Sequence, residues 1–228
     1  MKRGADITII TGHFGSGKTE ISINLALEAA KERTRVAVAD LDIVNPYYRA
    51  RDARAIFSEK GIELIAPAER LAAADLPIVP GDLSRVIYDP SYKLIVDAGG
   101  DKDGATALGQ FYSDWKEMKL EVLFVLNANR PYVSTLEGAM DTLKKIEKAS
   151  RLKITGIINN SNVGNDTTDQ DVSNGLKLSM ALSEQLGIPM LYTVVPQHLA
   201  TEALEEVDIE AAAPVKVISR YLRLPWEM

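Results

Sequence analysis

The stretch Ile7-Thr8-Ile9-Ile10-Thr11-Gly12-His13-Phe14-Gly15-Ser16-Gly17-Lys18-Thr19 decides how this chain reads. Its β-branched opening predicts a strand over Ile7–Thr11, and the pattern from Lys18 to Glu32 predicts a helix. The connection between them is Gly-x-x-x-x-Gly-Lys-Thr, a spacing with a physical purpose. Glycines let backbone N–H groups turn toward phosphate oxygens, and the following helix N-terminus adds positive potential. Gly12, His13, Gly15, Ser16 and Gly17 are therefore candidates for the cradle, with Glu20 beside them at the start of the helix. Lys18 is placed to reach the β and γ phosphates, and the Thr19 hydroxyl to ligate Mg²⁺. A plain glycine-rich turn is the bland alternative, but a chance match to the fixed positions is about a one-in-a-hundred event.

Outward from this stretch, short apolar runs alternate with longer amphipathic ones. Strands are expected near Arg35–Ala39, Ile62–Ala66, Leu94–Asp97, Val122–Leu126, Ile154–Asn159 and Met190–Val195. Further helices are expected near Tyr48–Lys60, Ala105–Met118, Val133–Ser150, Val172–Gly187, Leu199–Val207 and Val215–Leu222. Runs as apolar as Val122-Leu123-Phe124-Val125-Leu126 suit strands covered on both faces. The expectation is a doubly wound α/β fold with a mostly parallel sheet of about seven strands, a P-loop nucleotide-binding domain over residues 1–228. Function in such a fold is sought just past the carboxyl ends of the strands.

Composition narrows the chemistry. The 228 residues include no cysteine, which excludes disulfides, thiolate metal sites, cysteine-held iron–sulfur clusters and a thiol nucleophile. A net charge of −6 disfavours nucleic acid as a partner. The apolar run behind Met1-Lys2-Arg3 is too short for a signal segment or a membrane span, so a cytoplasmic location is expected. Lys144, Lys145, Lys148, Arg151 and Lys153 read as a solvated helix end rather than an anion patch. The basic, amphipathic stretch from Pro214 to Trp226 reads as a packed last helix in preference to a membrane-surface one.

Two predicted strand ends carry acids suited to a phosphate-bound metal. Asp40-Leu41-Asp42 follows one and Asp97-Ala98-Gly99-Gly100 closes another. Asp97 is the candidate metal carboxylate, Asp42 a candidate for metal contact and for positioning water, and Gly100 is placed to offer its N–H to the γ-phosphate.

This order of motifs, followed by Asn159-Asn160-Ser161 at a strand end and Val195-Pro196-Gln197 near a later one, resembles the MinD/ParA/CobQ-type P-loop ATPases, relatives of the nitrogenase iron protein. The resemblance spans nearly the whole chain. It implies that Asp42 orients the attacking water, that Asn160 reads adenine, and that Pro196 lies in the loop covering the base. A side-chain amide has the donor and acceptor that an adenine edge requires. The guanine-reading string Asn-Lys-x-Asp does not occur, and its nearest approach, Asn127-Ala128-Asn129-Arg130, lacks both Lys and Asp. ATP and Mg²⁺ are the expected cofactors.

The resemblance has one visible departure. Many members carry a lysine where this chain has His13, and that lysine crosses to the partner subunit in a nucleotide-sandwich dimer. A nucleotide-dependent homodimer is thus left open here, and His13 itself reads either as a phosphate contact or as loop filler. The expected activity is Mg²⁺-dependent ATP hydrolysis, with Lys18 and Asp42 as its catalytic residues, acting as a switch on an as yet unidentified protein partner. Metalloenzyme or cofactor maturation is one setting, and without cysteines the chain would act there through shape change. The segment Ile43 to Asp52, rich in Tyr and Arg, reads either as the partner surface or as packing for the next helix. The rival readings are an ATP-dependent synthetase similar to dethiobiotin synthetase and a nucleotide-binding regulator with almost no hydrolysis.

Overall fold

A computed structural model of the chain describes residues 6–33, 35–42, 49–66, 82–199 and 213–222. Their elements run β1 (Asp6–Thr11), α1 (Lys18–Glu32), β2 (Val36–Leu41), α2 (Arg54–Glu59), β3 (Glu63–Ile65), α3 (Asp82–Ile87), β4 (Lys93–Ala98), α4 (Lys102–Gln110), α5 (Tyr112–Trp115), β5 (Leu120–Leu126), α6 (Leu136–Ser150), β6 (Gly156–Asn159), α7 (Asp169–Leu186), β7 (Met190–Pro196) and β8 (Val215–Ile218). The eight strands form one sheet in the order β3-β2-β4-β1-β5-β6-β7-β8. Every pairing is parallel.

Strand periodicity explains how both faces are buried. Ile7 and Ile9 of β1, Leu94 and Val96 of β4, and Val122, Phe124 and Leu126 of β5 join one apolar layer with residues of α3 to α6. Their neighbours Ile10, Ile95, Leu123 and Val125 face the opposite layer, with Ile21, Ile23 and Ala26 of α1 and Phe57 of α2. Each large side chain so buried contributes about 1.5–3 kcal/mol, enough in aggregate to hold a sheet with no covalent staple.

Caps set several helix boundaries. Thr135 accepts from Gly138 N at the start of α6, and Thr168 and Asp171 form a reciprocal capping box at the start of α7. These caps start the two helices at Leu136 and Asp169, away from the expected Val133 and Val172. The expected Ala105–Met118 helix is two helices, with Phe111 between them, and most of the expected Tyr48–Lys60 helix is a 3₁₀ turn at Ala50–Ala53 followed by α2. The short helix α3 was not anticipated.

One expectation is overturned. Val215–Ile218, expected within a last helix, is an eighth strand beside β7. Three of its four residues are β-branched, and the exposed edge of β7 offers backbone partners that an isolated helical turn lacks. Only the start of the expected Leu199–Val207 helix is described: Leu199 ends a 3₁₀ turn, and residues 200–207 lie outside the described residues. The lysine-rich end of α6 is a solvated terminus as expected, with Lys145 paired to Asp141 and Lys153 to Glu147. No helix among the described residues is long and apolar enough to cross a membrane.

Candidate functional site

The sheet order reverses direction at β1, whose neighbours are β4 on one side and β5 on the other. A crevice opens past the strand ends at such a reversal. Residues 12–17 occupy it. Ser16 N donates to the His13 carbonyl at 3.1 Å and Ile21 N to the Gly17 carbonyl at 3.1 Å, so the loop closes and passes into α1. Gly17 has φ +85°, and a Cβ there would lie 2.3 Å from Asn160 Nδ2. Both the left-handed backbone and the close approach call for glycine. Lys18 is buried, and its Nζ folds back over the loop to the His13 carbonyl at 3.3 Å.

The two acid-bearing strand ends meet beside this loop. Asp40 of β2 pairs in register with Asp97 of β4, and β4 also pairs with β1. Asp97 is fully buried, and one of its oxygens accepts from Ser22 Oγ at 3.4 Å. Burial, reinforced by the charges of Asp40 and then Asp42, pushes its pKa up to about 7, with Lys18 and the Thr19 hydroxyl pulling it back. The buried Asp42 has an oxygen 3.1 Å from where a Cβ on Gly99 would stand, so it lies against the loop after β4. Gly100 packs so tightly on the phosphate loop that a Cβ would be 1.6 Å from the Gly12 carbonyl oxygen.

Asp40 has a different job from its neighbour Asp42. Its Oδ2 accepts from Arg51 Nε at 2.6 Å and from Arg51 N at 3.2 Å. Burial nonetheless raises its pKa, with Arg51 opposing. Arg51 is therefore turned inward to Asp40, contrary to a partner-facing role for this arginine. Ile43 to Tyr48 lie outside the described residues.

A cavity of about 930 Å³ extends from the loop toward β6, β7 and β8. Its walls include Lys18, Thr19, Asn160, Pro196 and Arg130. Asn160 is buried, and its Nδ2 donates to the Ser16 carbonyl at 2.7 Å, which ties the expected base-reading position directly to the phosphate loop. Asn159 is structural: its Nδ2 donates to the Val172 carbonyl and its Oδ1 accepts from Ser161 N. The polar stretch after β6 flanks the cavity, and Asn162 and Gly164 are among its lining.

One candidate, Glu20, is brought together here with several residues that motif reading did not single out. Glu20 lines the cavity, but its carboxylate accepts from the backbone N–H groups of Tyr221 and Leu222, while Asn24 exchanges hydrogen bonds with Ser219 N and O. Together they dock the segment after β8 onto α1, and Arg220 of that segment reaches the cavity wall. Glu20's pKa is raised by burial, with the Tyr221 and Leu222 amides opposing. Asn127 braces the opposite rim, accepting from Asn129 N and Asn162 N and donating to the Asn162 carbonyl. His13 hydrogen-bonds the Phe14 carbonyl through Nδ1 and rests its ring against Tyr132, 5.4 Å between centroids. That geometry has His13 filling the loop through Nδ1 and its ring face.

Comparison with known families is decisive at this point, because one family model spans residues 7–209 and so takes in the loop and the cavity walls at Asn160 and Pro196. The chain belongs to the CobQ/CobB/MinD/ParA nucleotide binding domain family. As a member, it is a nucleotide-binding P-loop domain, and the sheet reversal at β1 locates the loop that defines the class. A search of curated proteins gave no match. Among solved structures, the cell division protein FtsY from Thermotoga maritima is similar at TM-score 0.57 and 22% identity, with 92% of this chain and 67% of that one covered. FtsY from Mycoplasma mycoides gives 0.55 and 19%, with 84% and 60% covered. The Signal Recognition Particle 54 kDa protein from Aeropyrum pernix K1, solved in complex with GDP, gives 0.54 and 20%, with 83% and 41% covered. These likenesses concern the fold.

The residues present fit a Mg²⁺–phosphate group. Ser16 Oγ and Asp97 Oδ2 are buried and without a hydrogen-bond partner, an arrangement that costs stability unless a ligand satisfies it. No cluster of three or more His, Cys, Asp or Glu among the described residues is arranged to hold a metal ion. A hard cation would therefore arrive with phosphate oxygens as its main ligands, which is how Mg²⁺ is commonly bound.

Proposed function

We propose that this family member is a Mg²⁺-dependent ATPase whose nucleotide cycle acts as a switch on a protein partner, with metalloenzyme or cofactor maturation the setting its family resemblance suggests. The observation that carries the reading is the meeting of buried Asp97 and Asp42 with Lys18 and the Gly12–Gly100 contact at one strand-end crevice. Lys18 and the loop amides bind the phosphate chain and stabilise charge that develops on the transferring group. Thr19 and Asp97 would hold Mg²⁺, which would supply positive charge against the phosphate oxygens. Asp42 orients the attacking water. Gly100, in contact with Gly12, registers whether a γ-phosphate lies between loop and switch.

Asn160 supports adenine as the base, since its amide is held at the cavity wall through one hydrogen. GTP is the competing nucleotide because a structure of the same fold was solved with GDP. Exposed Phe14 and Tyr132 beside the loop support a contact surface for the partner. Calorimetric titration with ATP and GTP tests the assignment: wild-type protein should bind ATP more tightly, and Lys18→Ala should lose measurable binding. Unchanged ATP affinity in Lys18→Ala would sink the phosphate site, whereas a preference for GTP would overturn only the base reading. Co-purification with and without ATP should then retrieve a partner in one nucleotide state.

A further inference from the structure

Lys18 is not the only cation at the phosphate end of the cavity. Arg130, just before the 3₁₀ turn Pro131–Val133, lines the same wall as Gly15, Gly17, Lys18 and Thr19. Its Nε donates to the Gly15 carbonyl at 2.8 Å, and a Cβ on Gly15 would stand 3.0 Å from that nitrogen and 3.2 Å from the guanidinium carbon. The guanidinium is thus laid across the loop, with one N–H spent on it and, among the described residues, no hydrogen bond from its two Nη groups. Among the described residues no carboxylate forms an ion pair with Arg130.

The position is fixed from behind. Arg130 N donates to the Asn127 carbonyl and its own carbonyl accepts from Val133 N. Asn127, fully buried, is itself pinned to Asn162. Tyr132, two residues on, packs on the ring of His13. One short segment therefore grips the loop twice, by a cation at Gly15 and by a ring at His13. Lys18 and Arg130 line this cavity together with Arg220, and among the described residues neither Lys18 nor Arg130 forms a carboxylate salt bridge, so a multiply charged anion there is attracted by both. An arginine's planar fork suits phosphate oxygens.

We infer that Arg130 is a second phosphate-binding cation supplied by the same chain, contacting the phosphate chain of the bound nucleotide through its Nη groups while Nε anchors the loop. The inference rests on the nucleotide reading above and adds a residue that its motifs do not contain. In it, the position taken by His13 needs no lysine, because the additional charge comes from the strand-end loop after β5.

The test is titration of ATP and AMP into wild type, Arg130→Gln and Arg130→Lys over a series of salt concentrations. Arg130→Gln should weaken ATP binding by about tenfold, weaken AMP less, and flatten the salt dependence, with Arg130→Lys recovering part of the loss. A purely structural brace would lower both nucleotides equally and leave the salt dependence unchanged, and that outcome would overturn the inference. If the glutamine variant does not fold, wild-type protein decides. Saturating ATP, but not AMP, should shield Arg130 from an arginine-selective dicarbonyl reagent mapped by mass spectrometry, and equal labelling with and without ATP would overturn the proposal. Wild-type protein that binds no nucleoside triphosphate would remove the nucleotide reading and this proposal with it, whereas normal ATP binding in Arg130→Gln removes this proposal alone.

Discussion

The two ends of the cavity are built on opposite principles. At the phosphate end, past β1, β2 and β4, Asp97 Oδ2 and Ser16 Oγ are buried without partners, and like charges crowd. At the far end, past β6 to β8, Asn127 bonds Asn162 and Asn162 bonds Asn160, while Asn160 reaches Ser16, Asn159 reaches Val172 of α7, and the segment after β8 is tied to α1. One end gathers buried carboxylates of like charge, and at the other these asparagine amides already have partners. On the proposed ATPase reading, binding energy would be used where charge changes during phosphoryl transfer, and the base would meet a wall that needs no reorganisation.

Breaking the phosphate end should have the larger effects. Gly100→Ala forces the loop after β4 away from Gly12, and a displacement of that order should lower ATP turnover by about 100-fold, measured as phosphate release, with a smaller change in nucleotide affinity. Retention of full turnover would show that the Gly12–Gly100 contact is dispensable. Asp97→Asn should cost about 10- to 100-fold in Mg²⁺-dependent turnover.

The same variant reveals the electrostatic cost directly. Because the folded-state pKa of Asp97 lies at about 7, above the ordinary carboxylate range, the folded protein binds that proton more tightly than the unfolded chain. The resulting stabilisation is complete at acid pH below that range and is lost as pH rises to about 7. Ligand-free Asp97→Asn, which cannot ionise, should therefore melt at a higher temperature than wild type near pH 8, with the difference shrinking on acidification. A melting temperature that falls at both pH values would contradict this view of the phosphate end.

Changes at the far end should be milder. Asn160→Ala removes the hydrogen bond to the Ser16 carbonyl and the proposed base contact together, and should weaken ATP by about tenfold while narrowing its advantage over GTP. An unchanged ratio of ATP to GTP affinity would move base selection elsewhere on the wall. Asn24→Ala leaves Ser219 without its two hydrogen bonds, at a cost of about 1 kcal/mol or a few degrees in melting temperature, with turnover nearly unaffected.

How much of this was legible beforehand differs between the same two ends. The phosphate loop could be read from residues 7–19 because its function depends on backbone geometry, and glycine spacing reports backbone geometry locally. Asp42, Asp97 and Gly100 were likewise exposed by their places just after apolar strand runs. Arg130 and Asn24 carried no comparable signal, and Glu20 was singled out for its place beside the loop, not for its bonds to the Tyr221 and Leu222 amides. Their roles depend on which loops a parallel sheet places side by side, as when Nε of Arg130 meets a carbonyl 115 positions earlier in the chain.

The Val215–Ile218 strand makes the same point about the fold. Its alternation of apolar and charged residues suits a short helix or a strand, and the free edge of β7 selected the strand. Local sequence thus determined the class of fold, the loop and the acids that face it, because periodicity and turn chemistry act within a few residues. Tertiary structure alone decided that one acid of the Asp40–Asp42 pair anchors Arg51 while the other lies against Gly99, which residues brace the loop, and where the cavity ends, because strand order brings together groups that the chain keeps far apart.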